Sequence, residues 1–345
     1  MTNIEILLHF VRLRIQTHSF DLRDVLEELY QPHDAREFCD ANETTLTLCL
    51  EREDSADAFD IVMPGDAVYA ETNLCAADCY YSGGRFYGAK DGDFRLSFVY
   101  DIADRTVRAN LGSRFYESDQ WVIANFIRPF FQSFLLPFYG LRNLHGAVLT
   151  KGDRTVFLAG VGGAGKSTTT LGLMRGGWDL LSDDGPLFVF SGGRAAALSS
   201  LDYLHVTEGT LAMFPELAPH VVGGRDYRQK FAVSRKNLPH GAGPDRPQPV
   251  THYLRLTRAT VETPQFIPIG RPEITRDLLN EGAVVFRRLP HDEYHPSFTA
   301  YSRFVLDLIS DVARGANGYD LIFANHHLSE LPSLVEALPL PGSEV

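Results

Sequence analysis

The stretch Gly160-Val161-Gly162-Gly163-Ala164-Gly165-Lys166-Ser167 constrains this chain more than any other. It has the form G-x-x-x-x-G-K-[ST], in which glycines let successive backbone N–H groups turn toward phosphate oxygens with no side chain in the way. Lys166 offers a point charge to β- and γ-phosphates, and the Ser167 hydroxyl is a ligand for Mg²⁺. Such a loop needs a strand before it and a helix after it. Thr155-Val156-Phe157-Leu158-Ala159 reads as a buried strand, and Thr168 to Arg175 as a helix stopped by Gly176-Gly177. The helix N-terminus then points at the anion, with Thr168 in its first turn. The chain has only five lysines, so a glycine-rich turn that holds one by chance is the weaker reading.

The flanking sequence adds side chains to this loop. Leu144-His145-Gly146-Ala147-Val148-Leu149-Thr150, a turn at Lys151–Arg154 and the strand into the loop read together as a hairpin. With Thr150 opposite Thr155, the register carries His145 opposite Gly160, at the mouth of the phosphate site. After the loop helix, Trp178-Asp179-Leu180-Leu181-Ser182 reads as a buried strand ending in Asp183-Asp184. An Asp at such a strand end reaches Mg²⁺ directly or through water. Successive strand residues point to opposite faces, so the second carboxylate is available to an acceptor hydroxyl.

The region before residue 118 has a different texture. Ile4 to Tyr30 carries Leu7, Leu8, Val11 and Ile15 at helical spacing, which predicts helix ended by Pro32. From Thr44 to Phe115 short alternating runs are separated by turn residues such as Gly83-Gly84 and Asp91-Gly92, which predicts an antiparallel β-rich region without a catalytic signature. A long apolar helix is expected from Gln120 to about Leu136, and the domain boundary near its start: residues 1–117 and 118–345. The fold class expected is α/β (α+β), with a mixed sheet flanked by helices after a β-rich N-terminal domain.

Downstream, Gly223-Gly224-Arg225-Asp226-Tyr227-Arg228-Gln229-Lys230 is a flexible segment with three cations, of which Arg228 and Lys230 are the expected phosphate contacts. The Pro- and Gly-rich loop from Asn237 to Pro249 is expected to be mobile. Strands are expected over Val250–Leu256 and Tyr319–Ala324, and helices over Glu273–Asn280, Ser297–Ala313 and Leu331–Leu338. His291-Asp292-Glu293-Tyr294-His295 does not match H-E-x-x-H and reads as a loop. The cysteines Cys39, Cys49, Cys75 and Cys79 lack zinc spacing and are expected as reduced thiols.

A net charge of −12 argues against nucleic acid or an anionic membrane as the main partner. No stretch approaches the ~20 apolar residues of a membrane span, and the apolar start at Met1–Val11 carries Glu5 and no cleavage-like site. The expected location is the cytoplasm. A homo-oligomer is compatible with the sequence, which does not specify the oligomeric state.

His145-Gly146, the loop, and Leu181-Ser182-Asp183-Asp184 in one compact unit resemble the HPr kinase/phosphorylase family, more specifically the HPr-kinase-related proteins of bacterial gene clusters. Phosphoenolpyruvate carboxykinase shares that family's nucleotide core. The resemblance covers about residues 118–340 and is strongest over His145–Asp184. It implies ATP and Mg²⁺ at the loop, His145 beside the transferred phosphate, and one aspartate on the metal while the other takes the proton of an acceptor hydroxyl. The expected division is Asp184 with Ser167 on the metal and Asp183 on the proton. Where the family has a second signature, close to Glu-x-Arg-Gly-Leu-Gly, this chain has Val206-Thr207-Glu208-Gly209-Thr210, so neither the HPr substrate nor the reverse reaction is carried over. The expected activity is transfer of the γ-phosphoryl group of ATP to a hydroxyl of a protein, peptide or small molecule. The alternatives are a nucleotide-gated ATPase or scaffold that transfers nothing, and a carboxykinase.

Overall fold

The computed structural model describes residues 2–24, 26, 36–38, 43–72, 77–131, 136–199, 203–225, 230–236, 238–280, 286–288 and 296–342. The fold is α/β, with mixed sheets and few helices. The chain divides into two compact units, Met1–Arg142 with Val284–Val305, and Asn143–Ala283 with Leu306–Val345. This division falls later than the expected 117/118, and residues 284–305 return to the first unit. Among the described residues no helix is long and apolar enough to cross a membrane.

The first unit is built on a nine-stranded sheet in the order Thr2–Leu8, Val11–Thr17, Thr44–Arg52, Thr106–Leu111, Leu96–Asp101, Arg85–Lys90, Asp78–Ser82, Val68–Thr72, Phe286–Arg288. The helix expected from Ile4 is instead an antiparallel hairpin, with Thr2 paired to Thr17 and Leu8 to Val11. Ile4, Ile6 and Leu8, then Val11, Leu13 and Ile15, are buried at every second position, with Arg12 and Arg14 between them. That period of two overrides the looser helical spacing. Residues 27–30 of the same expectation lie outside the described residues.

The expected apolar helix is helical over Asp119–Phe130 but takes a π-helical turn at Ile123–Ile127. Pro129 has no N–H to give the Asn125 carbonyl, which interrupts the regular α pattern. Phe126 and Phe130 are fully buried, and the Phe130 ring lies edge-on to Phe98 at 4.8 Å. The helix therefore packs on the first unit's own sheet, which explains why the division comes after it.

In the second unit the main sheet has six strands, in the order Asp179–Ser182, Ala147–Lys151, Arg154–Ala159, His252–Arg258, Asn317–Phe323, Gln265–Ile269. Ala147–Lys151 pairs antiparallel with both the loop strand Arg154–Ala159 and the aspartate strand Asp179–Ser182. The loop strand runs parallel to His252–Arg258, and that strand parallel to Asn317–Phe323. Four strands thus present their carboxyl ends at one edge. The loop helix, Lys166–Arg175, packs Leu171, Leu173 and Met174 into a core with Trp178, Leu180 and Leu254. Each such side chain contributes on the order of 2 kcal/mol, so the helix is held firmly behind its loop.

The loop after Lys236 is tied down rather than free. Arg235 is buried and donates to the carbonyls of Gly241 at 2.8 Å and Leu180 at 2.7 Å, and His240 meets Asp179 at 2.6 Å. These contacts brace the aspartate strand from outside. Later elements match their expected places: helices Arg271–Leu278, Pro296–Gly315 and Leu331–Glu336, and the strands His252–Arg258 and Asn317–Phe323. His291–His295, Cys39 and Cys75 lie outside the described residues, while Cys49 and Cys79 are reduced.

Candidate functional site

Ligands in open α/β sheets collect in the crevice beyond the carboxyl ends of the strands. Here those ends carry the phosphate loop after Ala159, Asp183-Asp184 after Ser182, Arg258, and Asn325 just beyond Phe323. The antiparallel Ala147–Lys151 strand starts at this same edge and brings His145 in two residues before it. The hairpin register is the expected one, with Thr150 opposite Thr155 and Ala147 opposite Leu158. All of these groups line a single cleft of about 620 Å³.

The loop's glycines have specific backbone duties. Gly160 has φ 146, and a Cβ there would meet the Ala164 Cβ at 2.9 Å and the Leu256 carbonyl oxygen at 3.2 Å. Gly165 has φ 98 and caps the helix without a side-chain hydrogen bond, which leaves first-turn amides directed at the cleft. Gly162, Gly163, Gly165, Lys166, Ser167 and Thr168 line the cleft. Gly160 and Ala164 do not. Ala164 is buried, and the Gly160 carbonyl accepts from Lys166 Nζ at 2.5 Å, holding the ammonium across the loop.

The two aspartates lie in a bend just after the strand and reach different partners. Asp183 is 3% exposed, and its Oδ2 accepts from the Ser167 hydroxyl at 3.1 Å. Asp184 turns the other way, its Oδ1 lying 3.4 Å from Nδ1 of His145. This is the reverse of the expected division, which joined Asp184 to Ser167. Sequence alternation shows that neighbours diverge but not which of them faces the loop helix. The pairing of the aspartate strand with Ala147–Lys151 is irregular between Val148 and Leu149, so the strand's alternation does not run on unbroken to the two aspartates.

Lys230 lines the cleft next to the strand Phe231–Val233, whereas Arg228 lies outside the described residues. The small sheet Leu204–Val206, Phe231–Val233 and Val221–Arg225 also supplies His205 to the cleft wall. Thr207 then caps the helix Glu208–Met213 by accepting from the Thr210 amide at 3.2 Å.

Arg258 was not among the sequence candidates. A Cβ on Gly165 would lie 3.0 Å from its Nη2 and 3.1 Å from its Nε, so the guanidinium lies against the loop where the helix begins. Its signal was present: a cation at the carboxyl end of an apolar strand. Its worth depends on that strand being the parallel neighbour of the loop strand, which is a fact of topology.

No family model matches the chain, and no curated protein matches it. Among solved structures it is similar to an HPr(Ser) kinase/phosphatase from Coxiella burnetii, with 14% identity over 57% of this chain and 93% of that one, at a TM-score of 0.26. A likeness that loose bears on no residue's role, and the chemistry rests on the cleft itself.

Proposed function

We propose that the chain is an ATP- and Mg²⁺-dependent phosphotransferase that moves the γ-phosphoryl group to a hydroxyl acceptor. The observation that carries this reading is the divergence of Asp183 toward Ser167 and Asp184 toward His145 at the edge of one phosphate loop. A nucleotide-binding switch needs a carboxylate for its metal but none for an acceptor.

The residues present fit Mg²⁺. The ion takes hard oxygen ligands, and it is usually held by one or two carboxylates with substrate phosphates and water rather than by a cage of side chains. Ser167 Oγ and the buried Asp183 carboxylate form such a pair, and among the described residues no group of three or more His, Cys, Asp or Glu side chains gathers elsewhere. When bound there, the ion would offset negative charge on the phosphates.

The chain's own residues do the rest. Loop amides and Lys166 bind the β- and γ-phosphates, with Arg258 and Lys230 adding positive charge along the wall. In transfer, the acceptor oxygen bonds to the γ-phosphorus as the bond to the bridging oxygen breaks and ADP departs. The hydroxyl proton passes to Asp184, which His145 orients.

The test is incubation with γ-labelled ATP, Mg²⁺ and extract. Label on a protein, peptide or small alcohol, lost in Asp184→Asn, is the expected result. Label found only as free phosphate would favour the ATPase or switch reading.

A further inference from the structure

We infer that the cleft continues into a purine-nucleoside subsite formed by Asn325, His326 and Met213. This rests on the reading of the loop as a triphosphate site. A second cavity, of about 710 Å³, runs along the flank of the loop helix, and it shares Asn325 and Met213 with the phosphate cleft. The two spaces therefore meet at those side chains, and a nucleotide whose phosphates lie on the loop has its nucleoside at that junction.

The junction is built rather than incidental. Asn325 and His326 lie in a 3-10 turn, Asn325–His327, directly after the strand Asn317–Phe323. His327, the third residue, is 2% exposed and locks the turn from inside. Its Nδ1 accepts from the Ala324 amide at 3.0 Å, and its Nε2 donates to the Glu262 carbonyl at 3.0 Å. Its ring also touches that of His326, centroid to centroid 3.9 Å, which fixes the exposed imidazole. Just past the turn, the Leu328 carbonyl oxygen comes so near the loop helix that a Cβ on Gly172 would lie 3.2 Å from it. The turn is thus seated on the helix that carries the phosphate loop.

The three side chains have complementary chemistry. A primary amide offers a donor and an acceptor side by side, which matches the paired edge groups of a purine. An exposed imidazole is a stacking face, and a thioether adapts to a ring edge. The wider purine surface gains more from such stacking than a pyrimidine does.

Equilibrium binding by the full chain with Mg²⁺ tests this, using ATP, GTP, CTP and inorganic tripolyphosphate as probes. In the wild-type protein ATP or GTP should bind on the order of tenfold more tightly than tripolyphosphate, while CTP should gain little over it. Asn325→Ala and His326→Ala should each remove most of the purine advantage and leave tripolyphosphate affinity within about twofold. Tripolyphosphate binding reports in each variant that the loop is intact, and the near-isosteric, uncharged Asn325→Leu gives a second route to the same selective loss. Retention of the full purine advantage in all three variants overturns the subsite, as does a CTP affinity equal to that of ATP. A wild-type protein that binds neither ATP nor tripolyphosphate overturns the phosphate-site reading itself, and the subsite falls with it.

Discussion

The Ser167 hydroxyl donates to Asp183 Oδ2 across 3.1 Å, joining the first turn of the loop helix to the end of the aspartate strand. In the sheet, Ala147–Lys151 lies between the aspartate strand and the loop strand Arg154–Ala159, and it brings His145 to within 3.4 Å of the neighbouring carboxylate of Asp184. One three-strand arrangement thus gives two adjacent residues separate partners. The buried carboxylate faces the side where a cation is expected. The more exposed one faces open cleft.

That geometry predicts a division of labour. Asp183→Asn should weaken Mg²⁺-dependent nucleotide binding by roughly tenfold or more, because it removes a charged ligand. Asp184→Asn should leave that binding near wild type while reducing transfer by roughly 10²–10⁴. Titrating nucleotide against each variant at several Mg²⁺ concentrations decides it. Equal weakening in both would rule the division out.

Lys166→Ala removes the ammonium now held against the Gly160 carbonyl. Turnover should fall by roughly 10²–10⁴, since a charge at the transferring group is worth most when that group carries most charge. The loop helix is held by its apolar face, so thermal unfolding should move little. Normal turnover in this variant would sink the assignment of the loop.

Much of this site was legible because phosphate loops are local. Their glycines, lysine and serine act within a few residues, and the hairpin before Gly160 is a local feature whose register over Ala147–Lys151 is the expected one, with His145 two residues before the first paired position. Arg258 was not legible, because its position depends on the parallel pairing of Val156–Ala159 with His252–Arg255 across almost a hundred residues of sequence. The first strand pair failed for another reason. Leu7 and Leu8 supply apolar contacts at three-to-four spacing as well as at two, and only pairing with the parallel neighbour Thr44–Arg52 and with each other selects the strand. The choice between Asp183 and Asp184 likewise required knowing on which side of the strand the loop helix lies.

Arg258 supplies a prediction the sequence did not. Its guanidinium covers Gly165 within about van der Waals distance, so Arg258→Ala should lower turnover by roughly 10–10³ through lost charge at the phosphates. Arg258→Lys should restore only part of it, because a point charge does not reproduce the guanidinium's fork of donors. Steady-state kinetics with both variants tests this; full activity in the alanine variant would place Arg258 outside the machinery.

A pH effect on stability is expected from His252, which is fully buried in the second unit. Desolvation pushes its imidazole below the ordinary value of 6.5. Nε2 donates to the Pro339 carbonyl at 3.1 Å, and Nδ1 lies 2.9 Å from the Thr251 hydroxyl oxygen. Below about pH 6.5 the unfolded chain takes up a proton that the folded one resists, so stability falls as the pH drops and is recovered above that value. Urea midpoints between about pH 5 and 7 should show this acid-side loss in the wild type and a smaller one in His252→Gln. Identical pH dependence in the two proteins would exclude His252 as its source.

The final prediction separates binding from chemistry at His145. The residue lies on the cleft wall with Asp184, its Nδ1 3.4 Å from that carboxylate, so under the proposed mechanism it acts on the group that would receive the acceptor proton. A side chain placed there influences the transition state more than the bound nucleotide. His145→Ala should therefore lower kcat by roughly 10²–10³ while nucleotide Kd changes less than about threefold. A structural role alone would weaken both together, or lower the melting temperature with no change in the pH profile. Loss of the acidic limb of the kcat–pH profile in His145→Ala, or its displacement, is the signature of an imidazole that positions Asp184. An unchanged limb with a large drop in nucleotide affinity would move His145 from the acceptor side of the cleft to the phosphate side.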